Sequence, residues 1–129
     1  MQNNPVGWFE IYVQDMARAQ KFYEATLKLK LEQLPMPQGP EFGDMQMLAF
    51  PMDKQKTGAS GALVKMKEGV SGPGGSLIYF NCDDCSVEEG RVKTNGGSVC
   101  QPKMSIGQYG FISMVTDTEG NVIGLHSQK

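Results

Sequence analysis

The chain has one histidine, one tryptophan and three cysteines in 129 residues, and no cluster of lysine or arginine. With a formal net charge of −2 it offers no basic footprint, so no nucleic-acid partner is expected. No apolar run approaches the roughly 18 residues of a membrane span, which argues against insertion. The opening Met1-Gln2-Asn3-Asn4-Pro5 lacks the basic region and apolar stretch of a secretory signal. A cytoplasmic protein is the expectation. Cys82, Cys85 and Cys100 cannot all pair within one chain, and without an export signal they read as reduced thiols.

What the sequence does have is a duplication. Trp8-Phe9-Glu10-Ile11-Tyr12-Val13-Gln14-Asp15 and Leu77-Ile78-Tyr79-Phe80-Asn81-Cys82-Asp83-Asp84 are both apolar-rich runs that end in an acidic residue, 69 residues apart. Each precedes a helix-like stretch and then Gly-punctuated strands. Internal repeats of this kind decide the fold before finer patterns do. The expected organisation is one α+β domain of two tandem β-α-β-β-β units, about 6–66 and 76–128, joined by a Gly-rich linker over 67–75.

Local signals fill in the units. Residues 7–13 suit a strand buried on both faces. Asp15 stands as N-cap of a helix running to about 28, with Ala19, Phe22, Tyr23 and Leu27 as its apolar face. Strands fit 29–34, 45–51 and 60–66, and the prolines of 35–40 make a loop. In the second copy a strand spans 76–82, and Asp84 caps a helix over 85–95 stopped by Asn95-Gly96-Gly97. Strands then follow near 98–101, 109–116 and 121–127. Asp117-Thr118-Glu119-Gly120-Asn121 is a turn signature.

The helix pattern "D-x-x-R-A-x-x-F-Y" (Asp15, Arg18-Ala19, Phe22-Tyr23), Gly61-Ala62-Leu63 and the closing "D-x-x-G-N-x-I-x-L" (Asp117 to Leu125) together resemble the vicinal oxygen chelate superfamily. That group contains glyoxalase I, extradiol dioxygenases and bleomycin-resistance proteins, and the likeness runs from Trp8 to His126. It implies a cleft between the two units and, in metal-dependent relatives, four residues that hold a divalent ion. That ion acts as a Lewis acid on two neighbouring substrate oxygens. Counting from the anchors puts the four positions at Trp8, Ala62, Leu77 and Gly124. None of these side chains ligates a metal, so no metal and no cofactor is expected, and function has to follow the site.

Strand parity places Glu10 and Tyr12 on the face of Trp8, Tyr79 and Asn81 on that of Leu77, and His126 on that of Gly124. The pocket expected from the resemblance is thus Trp8, Tyr12, Ala62, Leu77, Tyr79, Asn81 and Gly124, with Glu10 and His126 as candidate catalytic groups. Each has a plainer reading. Glu10 is costly to bury unpaired, so it should have a partner or face water. His126 stands three residues from the end of the chain, where fraying competes with catalysis. Trp8 is more often plain core than stacking platform, though the position the resemblance gives it favours the cleft. Cys82-Asp83-Asp84-Cys85 has redox or zinc spacing, but no second pair exists and its acidic residues should raise thiol pKa values. Gly72-Pro73-Gly74-Gly75 lacks the Lys-Ser/Thr of a phosphate loop and reads as linker.

Three functions follow. The first is metal-independent binding of a small-molecule ligand in the cleft. The alternative is a glyoxalase-like lyase or isomerase using Glu10 or His126 as acid and base. The third is a partner-binding module, with a homodimer expected from the resemblance.

Overall fold

The computed structural model describes residues 4–129. The chain divides into two compact units, one from Trp8 to Ser76 and the other from Leu77 to Lys129 together with the chain up to Gly7. The N-terminal residues thus belong with the second unit. Within it the Pro5 carbonyl accepts the Asn81 N–H at 2.9 Å.

In the first unit, strands β1 (Val6–Tyr12), β2 (Glu32–Gln33), β3 (Gln46–Ala49) and β4 (Ser60–Lys65) form a sheet in the order β2-β3-β4-β1. β1 and β4 run parallel, with Glu10 opposite Ala62, while β2-β3 and β3-β4 are antiparallel. Helix α1 (Met16–Leu27) begins where expected, because the Asp15 carboxylate accepts the Arg18 N–H at 3.0 Å. An N-cap of this kind satisfies one of the backbone donors that a helix start leaves open.

The buried face of α1 differs from the one read from periodicity. Met16, Ala19 and Tyr23 pack on the core of Leu31, Leu48 and Leu63, with Ile11, Val13 and Phe50 alongside. Phe22 and Leu27 are instead 59% and 53% exposed. The sheet meets a narrower stripe than the apolar residues of the helix define. Tyr23 sets its ring edge-on to Phe50 at 5.8 Å. At the helix end, Glu24 accepts the Leu31 N–H at 2.8 Å, and this bond with that from Gln20 holds its carboxyl below the usual range.

The cap at that end is Lys28, with φ 54° and ψ 51° in the left-handed region. A side chain there costs roughly 1–2 kcal/mol, and helices usually place glycine at this point. Lys28→Gly is therefore expected to stabilise the protein by ~0.5–1 kcal/mol after its own entropic cost. An increase in urea midpoint at unchanged m-value checks this. A decrease would show that the lysine stem contributes packing instead.

In the second unit, β5 (Ser76–Asn81), β6 (Ser98–Ser105), β7 (Phe111–Thr116) and β8 (Val122–Ser127) take the order β5-β8-β7-β6. β5-β8 is parallel and the other two pairs are antiparallel, so both units share one pairing pattern. Helix α2 (Cys85–Val92) continues as a short 3-10 turn to Asn95. Asp84 caps it, accepting from the backbone and hydroxyl of Ser86 at 3.0 and 2.6 Å and from the Lys103 ammonium at 2.9 Å. Those bonds hold its carboxyl far below the usual range. Cys85, Val115 and Leu125 form the core under α2. Strand β6 runs past the expected end at 101 and includes Pro102, with register shifts on either side of Gln101. It is an outer strand of the sheet, the place where a strand tolerates proline.

The turn at 117–121 forms as the sequence indicates. One Asp117 oxygen accepts from the Glu119 and Asn121 backbones at 2.8 and 2.9 Å, and Gly120 sits at φ 86°. Among the described residues no helix is long and apolar enough to cross a membrane.

Candidate functional site

In the first unit, the sheet face away from α1 carries Trp8, Glu10 and Tyr12 from β1, with Ser60, Ala62 and Val64 opposite them in register on β4. β1 proves to be only partly buried, and its most buried residue is the charged one. Glu10 is 4% exposed, whereas Trp8 and Tyr12 are intermediate. The Trp8 Nε1–H donates to one Glu10 oxygen at 3.2 Å and the Tyr12 hydroxyl to the other at 3.0 Å. Glu10 therefore does not face water, and its partners are two neutral donors.

The electrostatics follow from that burial. Desolvation is the largest influence on Glu10 and pushes its pKa up, while the bonds from Tyr12 and Trp8 pull the other way. The Tyr12 phenol is raised far above its ordinary value, first by burial and then by the adjacent Glu10 charge and hydrogen bond. Tyr12 is thus a fixed neutral donor, and Glu10 is the group on this face that can change charge.

The second unit gathers Leu77, Tyr79 and Asn81 of β5 with Gly124 and His126 of β8 on one face. Tyr79 stands opposite Gly124 and Asn81 opposite His126. His126 is not frayed. It pairs with Ile112 on β7, and its Nε2 lies 2.6 Å from the Tyr109 carbonyl. A carbonyl only accepts, so Nε2 is the donor in this bond. Asn81 lays its amide over the α-carbon of Gly7. A Cβ on Gly124 would overlap the Tyr79 ring.

The two registers agree with the repeat. Glu10-Ala62 in one unit and Tyr79-Gly124 in the other are equivalent pairs, with Trp8 and Leu77 each two residues upstream. The four positions implied by the resemblance are therefore structurally matched. They do not fit a metal. The Trp8 indole is a donor spent on Glu10, Ala62 and Leu77 have no donor atom, and the Tyr79 ring fills the space a side chain at 124 would need. Among the described residues no three His, Cys, Asp or Glu side chains cluster as a metal site.

The remaining sequence candidates separate from this site. Cys85 is buried, Cys82 is half-buried and Cys100 is exposed. Burial first, then the neighbouring Glu88 charge and hydrogen bond and the Cys85 thiol, push the Cys82 pKa up to about 12. The acidic residues between the cysteines are not the cause. Since the thiolate is the reactive form, a disulfide reagent at pH 8 should label Cys100 first, Cys82 much more slowly and Cys85 only on unfolding. Mass spectrometry of timed samples checks the order, and rapid labelling of Cys82 would contradict it. Gly72 to Gly75 closes a turn through a 2.8 Å backbone bond. An open groove of about 770 Å³ runs along α1 past Gln20, Lys21 and Glu24, but Gln20 and Glu24 already bond each other there.

Sequence reasoning had no signal for the Tyr109 carbonyl, a backbone atom brought in by topology. The glycine inside β8 did carry one, since glycine within a strand often marks close approach of another group.

The fold and the matched strand positions define a glyoxalase-type protein. The model of the Glyoxalase/Bleomycin resistance protein/Dioxygenase superfamily matches residues 6–125, and the chain belongs to that family. Two relatives from Mycobacterium bovis and Mycobacterium tuberculosis, provisionally named glyoxylase CFP32, are each 28% identical over 123 residues. That match covers 92% of this chain but 44% of theirs, so the chain spans less than half the length of these relatives. Among solved structures, hypothetical protein BH1468 of Bacillus halodurans aligns with a TM-score of 0.72 at 17% identity, covering 99% of this chain and 96% of that one. Methylmalonyl-CoA epimerase from Mycobacterium tuberculosis aligns at 0.69 and 14% identity, covering 97% and 88%. These similarities extend to the fold.

Proposed function

We propose that this glyoxalase-family protein binds a small molecule at the sheet face carrying Trp8, Glu10 and Tyr12, without a metal at the family's ligand positions. The observation that carries the proposal is Glu10, a carboxyl 4% exposed that accepts hydrogen bonds from one indole and one phenol. A few polar groups set among apolar and aromatic ones is the usual make-up of a ligand site. Ala62 and Val64, opposite Glu10 and Tyr12 on β4, are fully buried and leave Trp8 and Tyr12 as the partly exposed groups of this face.

Trp8 is the sole tryptophan and is bonded to Glu10, so its fluorescence reports on this face directly. Titration of a panel of small metabolites and antibiotics should give saturable changes in Trp8 emission, with matching gains in thermal stability for the compounds that bind. A panel that leaves both signals unchanged at millimolar concentration defeats the proposal.

The raised pKa of Glu10 favours a second reading, a lyase or isomerase in which Glu10 moves a proton. An acid/base group works best with its pKa near the operating pH. His126, its Nε2 anchored on the Tyr109 carbonyl, is the corresponding candidate of the second unit. If turnover of a compound is found, Glu10→Gln should lower kcat by ~10²–10⁴ under this reading. An unchanged kcat in both Glu10→Gln and His126→Ala would rule the mechanism out.

A further inference from the structure

We infer that the groove along α1 binds a small phosphate-bearing anion, held by the ammonium groups of Lys21, Lys28 and Lys30. The groove lies on the helix side of the first unit, whereas Trp8, Glu10 and Tyr12 lie on the other face of its sheet. This second site stands or falls independently of the binding reading above.

Folding gathers three lysines that the sequence spreads over residues 21–30. They line a groove of about 770 Å³, within the usual size of a small-molecule site. Lys21 and Lys28 lie about two helical turns apart, and Lys30 follows on the segment that leads back to the sheet. All three are exposed. Among the described residues the ion pair found is Lys103–Asp84, in the other unit, so none of the three has a carboxylate partner. The opposing charge in the groove is Glu24, which accepts the Gln20 amide and the Leu31 N–H at 3.2 and 2.8 Å. Glu24 and about half a negative charge at the C-terminal end of α1 still leave the groove more than one charge positive. The chain as a whole carries −2, so the groove is a local reversal of sign.

Lys28 supplies a separate indication. Among the described residues it is the one non-glycine residue at positive φ. A side chain is strained in that conformation, and glycine usually takes it at a helix end. Strain held at a single position points to a use for the side chain there, and this side chain lines the groove. Ala17, Ala25 and Leu29 line it too, short or apolar groups beside which the organic part of a ligand can lie. Lysine binds phosphate as a point charge. A dianionic phosphate ester matches an excess of more than one positive charge, where a monocarboxylate leaves part of it unmatched.

The test is a backbone-amide NMR titration of the full chain at pH 8 with phenyl phosphate, benzoate, and sodium chloride at matched ionic strength. Phenyl phosphate is expected to move the amides of 17–30 saturably and to bind about fivefold more tightly than benzoate, which carries one charge fewer. Sodium chloride should leave those amides in place. Lys28→Gly should weaken phenyl phosphate by about fivefold, and Lys21→Gln combined with Lys30→Gln should weaken it further. No saturable shift within 17–30 at millimolar phenyl phosphate overturns the inference. An equal response to benzoate or to sodium chloride overturns it too, because the groove would then sense charge without selecting phosphate. Unchanged affinity in Lys28→Gly and in the double variant has the same meaning. Binding to vesicles of phosphatidylglycerol with phenyl phosphate silent would overturn it in favour of a membrane surface. If Lys28→Gly does not fold, the double variant, which changes only exposed side chains, decides.

Discussion

Glu10→Gln is expected to make the protein more stable at pH 8, by about 1–3 kcal/mol, with the gain shrinking toward pH 4. Glutamine matches the carboxylate in shape and can keep both hydrogen bonds. Its oxygen accepts from the Trp8 indole, and its amide donates to the Tyr12 hydroxyl, which can turn to accept. What the substitution removes is the cost of ionising a carboxyl that is 4% exposed. Burial raises the pKa of Glu10 above its unfolded value. The native state is therefore favoured, as far as this group is concerned, below the unfolded pKa near 4.5, and loses that advantage as pH rises through the raised native value. Glutamine does not titrate, so the difference between the two proteins should open over that same interval. Urea unfolding at several pH values reads it directly. A variant less stable than its parent at pH 8 would show that the ionised carboxyl stabilises this face.

Gly124→Ala should destabilise the protein by about 1–3 kcal/mol, the range for overpacking a filled interior. The new methyl would meet the ring of Tyr79, its register partner, and Tyr79 is itself 9% exposed with little room to yield. In a Tyr79→Leu background the same change should cost less, with a coupling of ~0.5–3 kcal/mol in a double-mutant cycle. Additive effects would show that the ring does not occupy the space. The result bears as well on the position that the family resemblance assigns to a metal ligand. A glutamate at 124 would meet the same ring and bring a buried charge with it. One substitution therefore does not return a ligand to this strand.

Much of this fold could be read from local chemistry. Asp15 and Asp84 announce their helices because capping depends on a few adjacent residues, and both carboxylates bond the backbone as expected. The duplication gave the equivalence of β1 with β5, and the Glu10-Ala62 and Tyr79-Gly124 registers agree with it. What tertiary packing decides was less legible. Phe22 and Leu27 satisfy helical periodicity, yet the sheet buries Met16, Ala19 and Tyr23. Pro102 masks the second half of β6, since proline in a strand is tolerated only where its missing donor has no partner. Parity put Glu10 beside Trp8 and Tyr12, but nothing in the sequence says that the carboxyl would be the most buried group of its strand. That depends on what covers the strand in three dimensions.

The outer strands have a consequence for self-association. β2 is two residues long, and β6 is broken by register shifts and by a proline. A second chain looking for a straight ladder of free amides and carbonyls would find none on either, which are the devices that keep sheet edges from seeding strand-added dimers or fibrils. If two copies of this protein pair, they must meet through side-chain surfaces such as the exposed Phe22 and Leu27 of α1, and not by extending these edges.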